Sequence, residues 1–308
     1  MTSTGAADNP EEGYADVGCG IRLWFRQSGP RNGPALFLLS GLGQQFNAWP
    51  DECVEQWTSR GFRVTRIDNR DVGLSTHMAF PPPNLLDILR GDSRAKQYEL
   101  CDMARDTVKL MDALGTPEAH LVGVSMGGMI AQTVAADYPG RTATLTSVSS
   151  SPGGLRFGRP ALSTLRRMAT ARPARNRQEA MDKAVSMFRH IGSRGYPFDE
   201  NRVGRIAAES FDRDPTTSGI ARQLAAILAS GDRSRELRYI TAPTLVIHGD
   251  KDRMVHPSGG VRVARMIPGA QLVTLPGLGH DLPEPLWPTI VDLVGRHAGG
   301  HRLGPDSD

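Results

Sequence analysis

A chain of 308 residues, 39% of them hydrophobic, is long enough to bury a sizeable core and too apolar to stay disordered. Its net charge of +3 is too small to call for nucleic acid, and no apolar run approaches the roughly 18 residues that a bilayer span needs. Three widely spaced cysteines, Cys19, Cys53 and Cys101, suit reduced thiols better than a disulfide framework or a zinc site. Residues 1–15 are polar and partly acidic, without the basic start and apolar core of a signal peptide, and are expected to be a disordered tail on a cytoplasmic protein.

After that tail, residues 20–26 alternate like a strand, and Ser28 to Pro34 are turn chemistry. Ala35 to Leu39 is a continuous apolar run of the kind found in central parallel strands, and it ends in the Gly-rich loop Ser40-Gly41-Leu42-Gly43. A helix is expected from Pro50 to Arg60, a strand from Phe62 to Ile67, and an amphipathic helix from Leu100 to Leu114. Leu121 to Val124 reads as a strand, residues 127–137 as a helix, and Thr142 to Val148 as another strand. Strands alternating with helices imply a mostly parallel sheet, with ligands at the carboxyl ends of its strands. From 151 to 240 the pattern changes to Pro-, Gly- and Arg-punctuated helical segments, read as a helical cap inserted into the core of residues 16–150 and 241–298. Alternation resumes with strands Thr244 to His248 and Gln271 to Leu275, a helix from Gly260 to Met266, and a last helix from Pro285 to about Arg296. Residues 299–308 are expected to be a second disordered tail.

The chemistry centres on Gly123-Val124-Ser125-Met126-Gly127, which lies between the expected strand and helix. In such a turn the serine takes a strained backbone conformation that lifts its hydroxyl clear of the sheet. Serine is a poor nucleophile unless a base takes its proton, and the base needs an orienting acid. His280, between the last strand and the last helix and preceded by Gly277 and Gly279, is the best placed of the eight histidines. Asp252 is preferred as the acid over Asp250, because the loop needs a few residues to turn back and Asp250 suits a turn hydrogen bond. Backbone amides of Leu42 and Met126 are the candidate oxyanion donors. Gly41, Gly43 and Met254 are the candidate substrate-binding residues. Asp68-x-Arg70-Asp71-x-Gly73 lacks metal-ligand spacing and is read as a loop ion pair beside the site, and no cofactor or metal is called for. The arginine run Arg156, Arg159, Arg166, Arg167, Arg172, Arg175 and Arg177 is read as a solvated surface.

Taken together, Ser40-Gly41-Leu42-Gly43, Trp49-Pro50, Arg66-x-Asp68-x-Arg70-Asp71, Gly123-x-Ser125-Met126-Gly127-Gly128, His248-Gly249-x-x-Asp252 and Gly279-His280-Asp281-Leu282-Pro283 resemble the α/β-hydrolase fold superfamily. The branch most resembled is the serine esterases that include aclacinomycin methylesterase and related lipase/esterase-type carboxylesterases. The resemblance runs from about Gly20 to His297 and implies Ser125 as nucleophile, Asp252 as acid, His280 as base, and Leu42 with Met126 as oxyanion donors. Many relatives carry His-Gly where this chain has Ser40-Gly41; the glycine is kept. A serine at 125 weighs against the branches that use a carboxylate nucleophile.

The expected activity is hydrolysis of a small-molecule carboxylic ester. The same residues could serve thioester hydrolysis, C–C hydrolysis, perhydrolysis or a receptor-like binding role. Apolar cap residues (Leu155, Phe157, Leu162, Leu165, Met168, Met187, Phe188, Leu224, Ile227, Leu228) suggest a partly apolar pocket, or simply packing of cap on core.

Overall fold

The computed structural model describes residues 11–83, 97–154 and 156–300; the expected tail over residues 1–10, Leu155, and the expected tail from 301 onward lie outside them. The strands are β1 (Glu11–Gly18), β2 (Ile21–Ser28), β3 (Ala35–Leu39), β4 (Arg63–Ile67), β5 (Ala119–Val124), β6 (Thr142–Val148), β7 (Thr244–Gly249) and β8 (Gln271–Leu275). They form one sheet in the order β1-β2-β4-β3-β5-β6-β7-β8. β1–β2 and β2–β4 pair antiparallel, and all other pairs are parallel.

The core helices are α1 (Asp51–Thr58), α2 (Leu100–Ala113) and α3 (Met126–Asp137). The cap helices are α4 (Leu162–Thr170), α5 (Arg177–Ile191), α6 (Glu200–Arg213) and α7 (Ser218–Ser230), and the chain ends on α8 (Ser258–Met266) and α9 (Trp287–Ala298). Strand alternation divides the core into two layers. On β3, Phe37 and Leu39 join the layer built from α2, α3 and α8, while Leu36 and Leu38 join α1 and α9 on the opposite face. Among the described residues no helix is long and apolar enough to cross a membrane.

The expected tail is too long. Residues 11–15 belong to β1, which pairs with β2 from Glu11 opposite Gln27 onward. Only Ala15 and Val17 are buried on it, so its alternation is too weak to read from sequence. Gly18, Cys19 and Gly20, all at positive φ, turn the chain into β2. Within the cap, α4 buries only Thr164.

Candidate active site

The carboxyl ends of the parallel strands gather the candidate residues into one region. Ser125 ends the tight turn between β5 and α3 at φ +57°, ψ −119°, a conformation costly for a side chain with a Cβ. Its amide donates to Val148 O at 2.9 Å, and its carbonyl accepts from Met129 N at 3.1 Å and from the Ser150 hydroxyl at 2.7 Å. The flanking glycines are required by close approach. A Cβ on Gly123 would lie 2.2 Å from Gly127 O, and one on Gly127 would lie 2.1 Å from Leu39 O.

His280 and Asp252 come together from two loops. The loop after β7 buries Asp252, whose Oδ1 accepts from the amides of Met254 at 2.9 Å and Val255 at 2.8 Å. Its Oδ2 faces His280 Nδ1 at 2.8 Å. Burial works against ionising this carboxyl, yet the charge of His280 and hydrogen bonding from His248 and His280 hold it well below the usual carboxylate range. Met254, expected to touch substrate, contributes its backbone amide to holding Asp252. Asp250 makes the turn bond expected of it, accepting from Gly277 N at 2.7 Å.

The loop that carries His280 hangs from the cap. His280 N donates to Ile191 O at 2.9 Å, and Gly279 N donates to Ser193 Oγ at 2.9 Å. Ser193 in turn donates through both its amide and hydroxyl to Asp281 Oδ1. Arg194 N and Gly195 N both reach Gly277 O at 3.1 Å. None of these cap contacts was legible in the sequence.

The loop after β3 presents its amides selectively. Gly41 N is taken by Gln44 Oε1 at 3.0 Å, and Gly43 N by Gln223 Oε1 at 2.9 Å. Leu42 N and Met126 N, the two candidate oxyanion donors, have no hydrogen-bond partner among the described residues. The candidate substrate-binding residues Gly41 and Gly43 therefore shape this loop through occupied amides. A Cβ on Gly41 would stand 3.4 Å from Ser125 Cβ, so the loop lies directly beside the serine.

Of the other described histidines, His248 stands beside Asp252, and the rest are engaged elsewhere, His77 with Gly73 O and Asp214. His120 bonds Thr144, His190 bonds Thr164, His256 bonds Ser258, and His297 bonds Pro243 O. His301 is outside the described residues. The expected loop ion pair at Asp68, Arg70 and Asp71 does not form within the loop. Asp68 pairs with Arg213 of α6 at 2.6 Å, Arg70 with Asp106 of α2 at 2.6 Å, and Asp71 with Arg222 of α7 at 2.7 Å. Each charge is instead met by a helix packed over it. Arg222 and Gln223 do leave a trace in the sequence, as polar residues in the otherwise apolar stretch from Ile220 to Leu228. The arginine run from Arg156 to Arg177 is exposed throughout, as expected. Of the apolar cap residues, Leu162, Leu165 and Leu228 are exposed and the other described ones half-buried.

Residues 34–284 match the alpha/beta hydrolase fold family. Rhodomycin D methylesterase DauP of Streptomyces sp. (strain C5) is 30% identical over 294 residues, covering 86% of this chain and 92% of that protein. Rhodomycin D methylesterase DnrP of Streptomyces peucetius is 28% identical, with the same coverage of both chains. Among solved structures, the enol-lactonase from Burkholderia xenovorans LB400 superposes with a TM-score of 0.73 at 24% identity, over 93% of this chain and 100% of its own. A hydrolase from Pseudomonas aeruginosa PA01 superposes with a TM-score of 0.71 at 27% identity, over 94% of this chain and 98% of its own. Sheet order, serine turn and sequence match agree, and the chain belongs to the α/β-hydrolase fold family.

Proposed function

We propose that this protein is a serine hydrolase of small-molecule carboxylic esters, with Ser125 as nucleophile, His280 as base and Asp252 as the acid that orients it. The observation that carries the reading is the contact between His280 Nδ1 and the buried Asp252 Oδ2 at 2.8 Å, on the same sheet edge as a serine held at φ +57°. With Nδ1–H donated to Asp252, Nε2 is the free basic nitrogen of the ring.

The reaction runs in two halves. Ser125 Oγ attacks the ester carbonyl as its proton passes to His280 Nε2. The carbonyl oxygen becomes an oxyanion, met by the amides of Leu42 and Met126, each worth about 3 kcal/mol of transition-state stabilisation. The tetrahedral intermediate collapses, and the leaving alcohol takes the proton from His280. Water then attacks the acyl-enzyme by the same proton route in reverse order, releasing the acid and restoring Ser125. The two methylesterase relatives favour a methyl ester, and the half-buried apolar cap residues favour a bulky acid beside it. The three unpaired cysteines, with the buried Cys53 thiol pushed up to about 12 by burial, suit a reducing cytoplasm.

Intact-mass labelling with a fluorophosphonate, run beside a p-nitrophenyl ester series, tests the assignment. Wild type should take one label and turn over the esters. Ser125→Ala should take none and lose about 10⁵- to 10⁶-fold in kcat. Labelling that survives in Ser125→Ala would overturn the nucleophile.

A further inference from the structure

His248 has no part in the reaction above, yet it is buried against its acid. It lies near the end of β7 and is 1% exposed. Its Nε2 is 2.9 Å from Val255 O and 3.5 Å from Asp252 Oδ2. A carbonyl oxygen only accepts, so Nε2 carries the proton. Nδ1 is buried with no partner among the described residues. Against it packs Gly260 of α8, so closely that a Cβ there would lie 2.4 Å from Nδ1. A second proton on Nδ1 would therefore be an unpaired charge without an acceptor, which is costly in an interior.

The surroundings of Asp252 give this ring a task. Oδ1 is filled by the amides of Met254 and Val255, and Oδ2 is met by His280. The remaining approach to Oδ2 belongs to His248. We propose that His248 is a positioning residue: as its Nε2–H tautomer it ties the Val255 carbonyl and the Asp252 carboxylate into one fixed unit that aims His280. The inference rests on the reading of Asp252 as the catalytic acid.

The groups that face this unit are few. β7 supplies His248 itself, and the loop after β8 supplies His280 with the buried Asp281 behind it. The acid loop supplies two backbone amides, and α8 supplies the backbone of Gly260. Removing the His248 N–H leaves the negative charge on Asp252 less stabilised, so Asp252 holds a protonated His280 more firmly. The acid limb of kcat/KM then moves to higher pH.

The test compares full-length wild type, His248→Leu and His248→Gln with p-nitrophenyl esters across pH, and follows ¹⁵N-histidine NMR of the wild type. A glutamine amide reaches where Nε2 does and cannot titrate. His248→Leu should raise the acid limb by about half a unit or more and lower kcat about tenfold, while His248→Gln should restore both to within about threefold. In the spectrum one ring, absent from His248→Gln, should carry its proton on Nε2 rather than Nδ1. A His248 protonated on Nδ1 with Nε2 bare overturns the proposal, as do Leu and Gln variants with the same profile. An enzyme that turns over no ester overturns the proposed function instead, and the wild-type spectrum still reads the tautomer in that case.

Discussion

The α6–α7 half of the cap is fastened to the core by buried charge, whereas α4 rests on it through surface contacts. Under α6 and α7, Asp68 and Asp71 are completely buried and each receives an arginine from above, Arg213 and Arg222. Arg213 also stacks on Trp24 and Phe46 at 4.4 and 4.5 Å. Gln223 bridges Gly43 N and Arg70 O, and Gly219 packs where a Cβ would sit 1.8 Å from Asp71 O. α4, by contrast, buries only Thr164, leaves Leu162 82% exposed, and is joined to its surroundings by Thr164–His190, Ser163–Arg253 and Arg167–Ser186. The chain carries 36 basic residues, and most of those in the cap sit in water, where an ion pair contributes little. The few that are buried decide which part of the cap can move. Lifting α6 or α7 would strand carboxylates in the core, while shifting α4 costs a few partly solvated bonds.

The sharpest way to break this contrast is Asp71→Ala. Besides Arg222, Asp71 accepts from Met78 N at 2.9 Å and from the Tyr98 hydroxyl at 2.8 Å, and burial keeps that phenol protonated far above its ordinary range. The substitution leaves a buried guanidinium, a phenol and an amide without their acceptor. Stability should fall by about 3–5 kcal/mol in urea unfolding, because a lone buried charge is far worse than the intact pair. A loss under about 1 kcal/mol would show that water replaces the carboxylate and that α7 is no better anchored than α4.

On the α4 side, Thr164→Val removes the most buried polar contact that this helix makes, the 3.1 Å bond to His190 Nε2. His190 is half-buried and held below its ordinary range by burial and by Arg253, Arg167 and Arg194, so it is neutral and can turn to solvent. The expected loss is about 1 kcal/mol or less. If α4 is the movable part of the cap, the substitution should alter KM for long-chain p-nitrophenyl esters more than it alters the urea midpoint. A stability loss matching that of Asp71→Ala would erase the distinction between the two halves.

How much of this could be read in advance depends on the range of the signal. The parallel strands were legible because burial on both faces gives continuous apolar runs, and β6 and β8 have the expected bounds. The serine turn was legible because close approach of three backbone segments admits only glycine at 123 and 127. Loop length and the turn bond that suits Asp250 favour Asp252 as the acid; in the structure Asp252 faces His280 and Asp250 accepts from Gly277 N. β1 was lost because it pairs only at the sheet edge and buries two small side chains. The partners of Asp68, Arg70 and Asp71 were lost because they lie 145, 36 and 151 residues away, and the trace that Arg222 leaves in its apolar stretch does not say which carboxylate it meets. Half of the contacts that suspend the His280 loop run backbone to backbone and leave no side-chain pattern to find, and the others join Ser193 to a loop 86 to 88 residues away.

The weakest of the expected effects lies at the edge of the anchored half, where α6 ends. Asp214 Oδ2 accepts from Gly73 N at 3.1 Å and faces His77 Nε2 at 3.3 Å, joining the α6–α7 turn to the loop below. The bond to Asp214 raises His77 above its ordinary value against the opposing pull of burial. A histidine raised in the folded state stabilises fully below its unfolded value near about 6.5, and that contribution is lost as pH climbs through the raised value. Urea midpoints at about pH 6 and pH 9 should therefore show wild type ahead of His77→Gln at the lower pH only, by about 0.5 kcal/mol for a pair whose histidine is partly solvated. Glutamine keeps a donor for Asp214 and cannot titrate, so the difference isolates the charge. A gap of equal size at both pH values would mean that His77 acts by shape. The anchoring of this half would then rest on Asp68 and Asp71 alone.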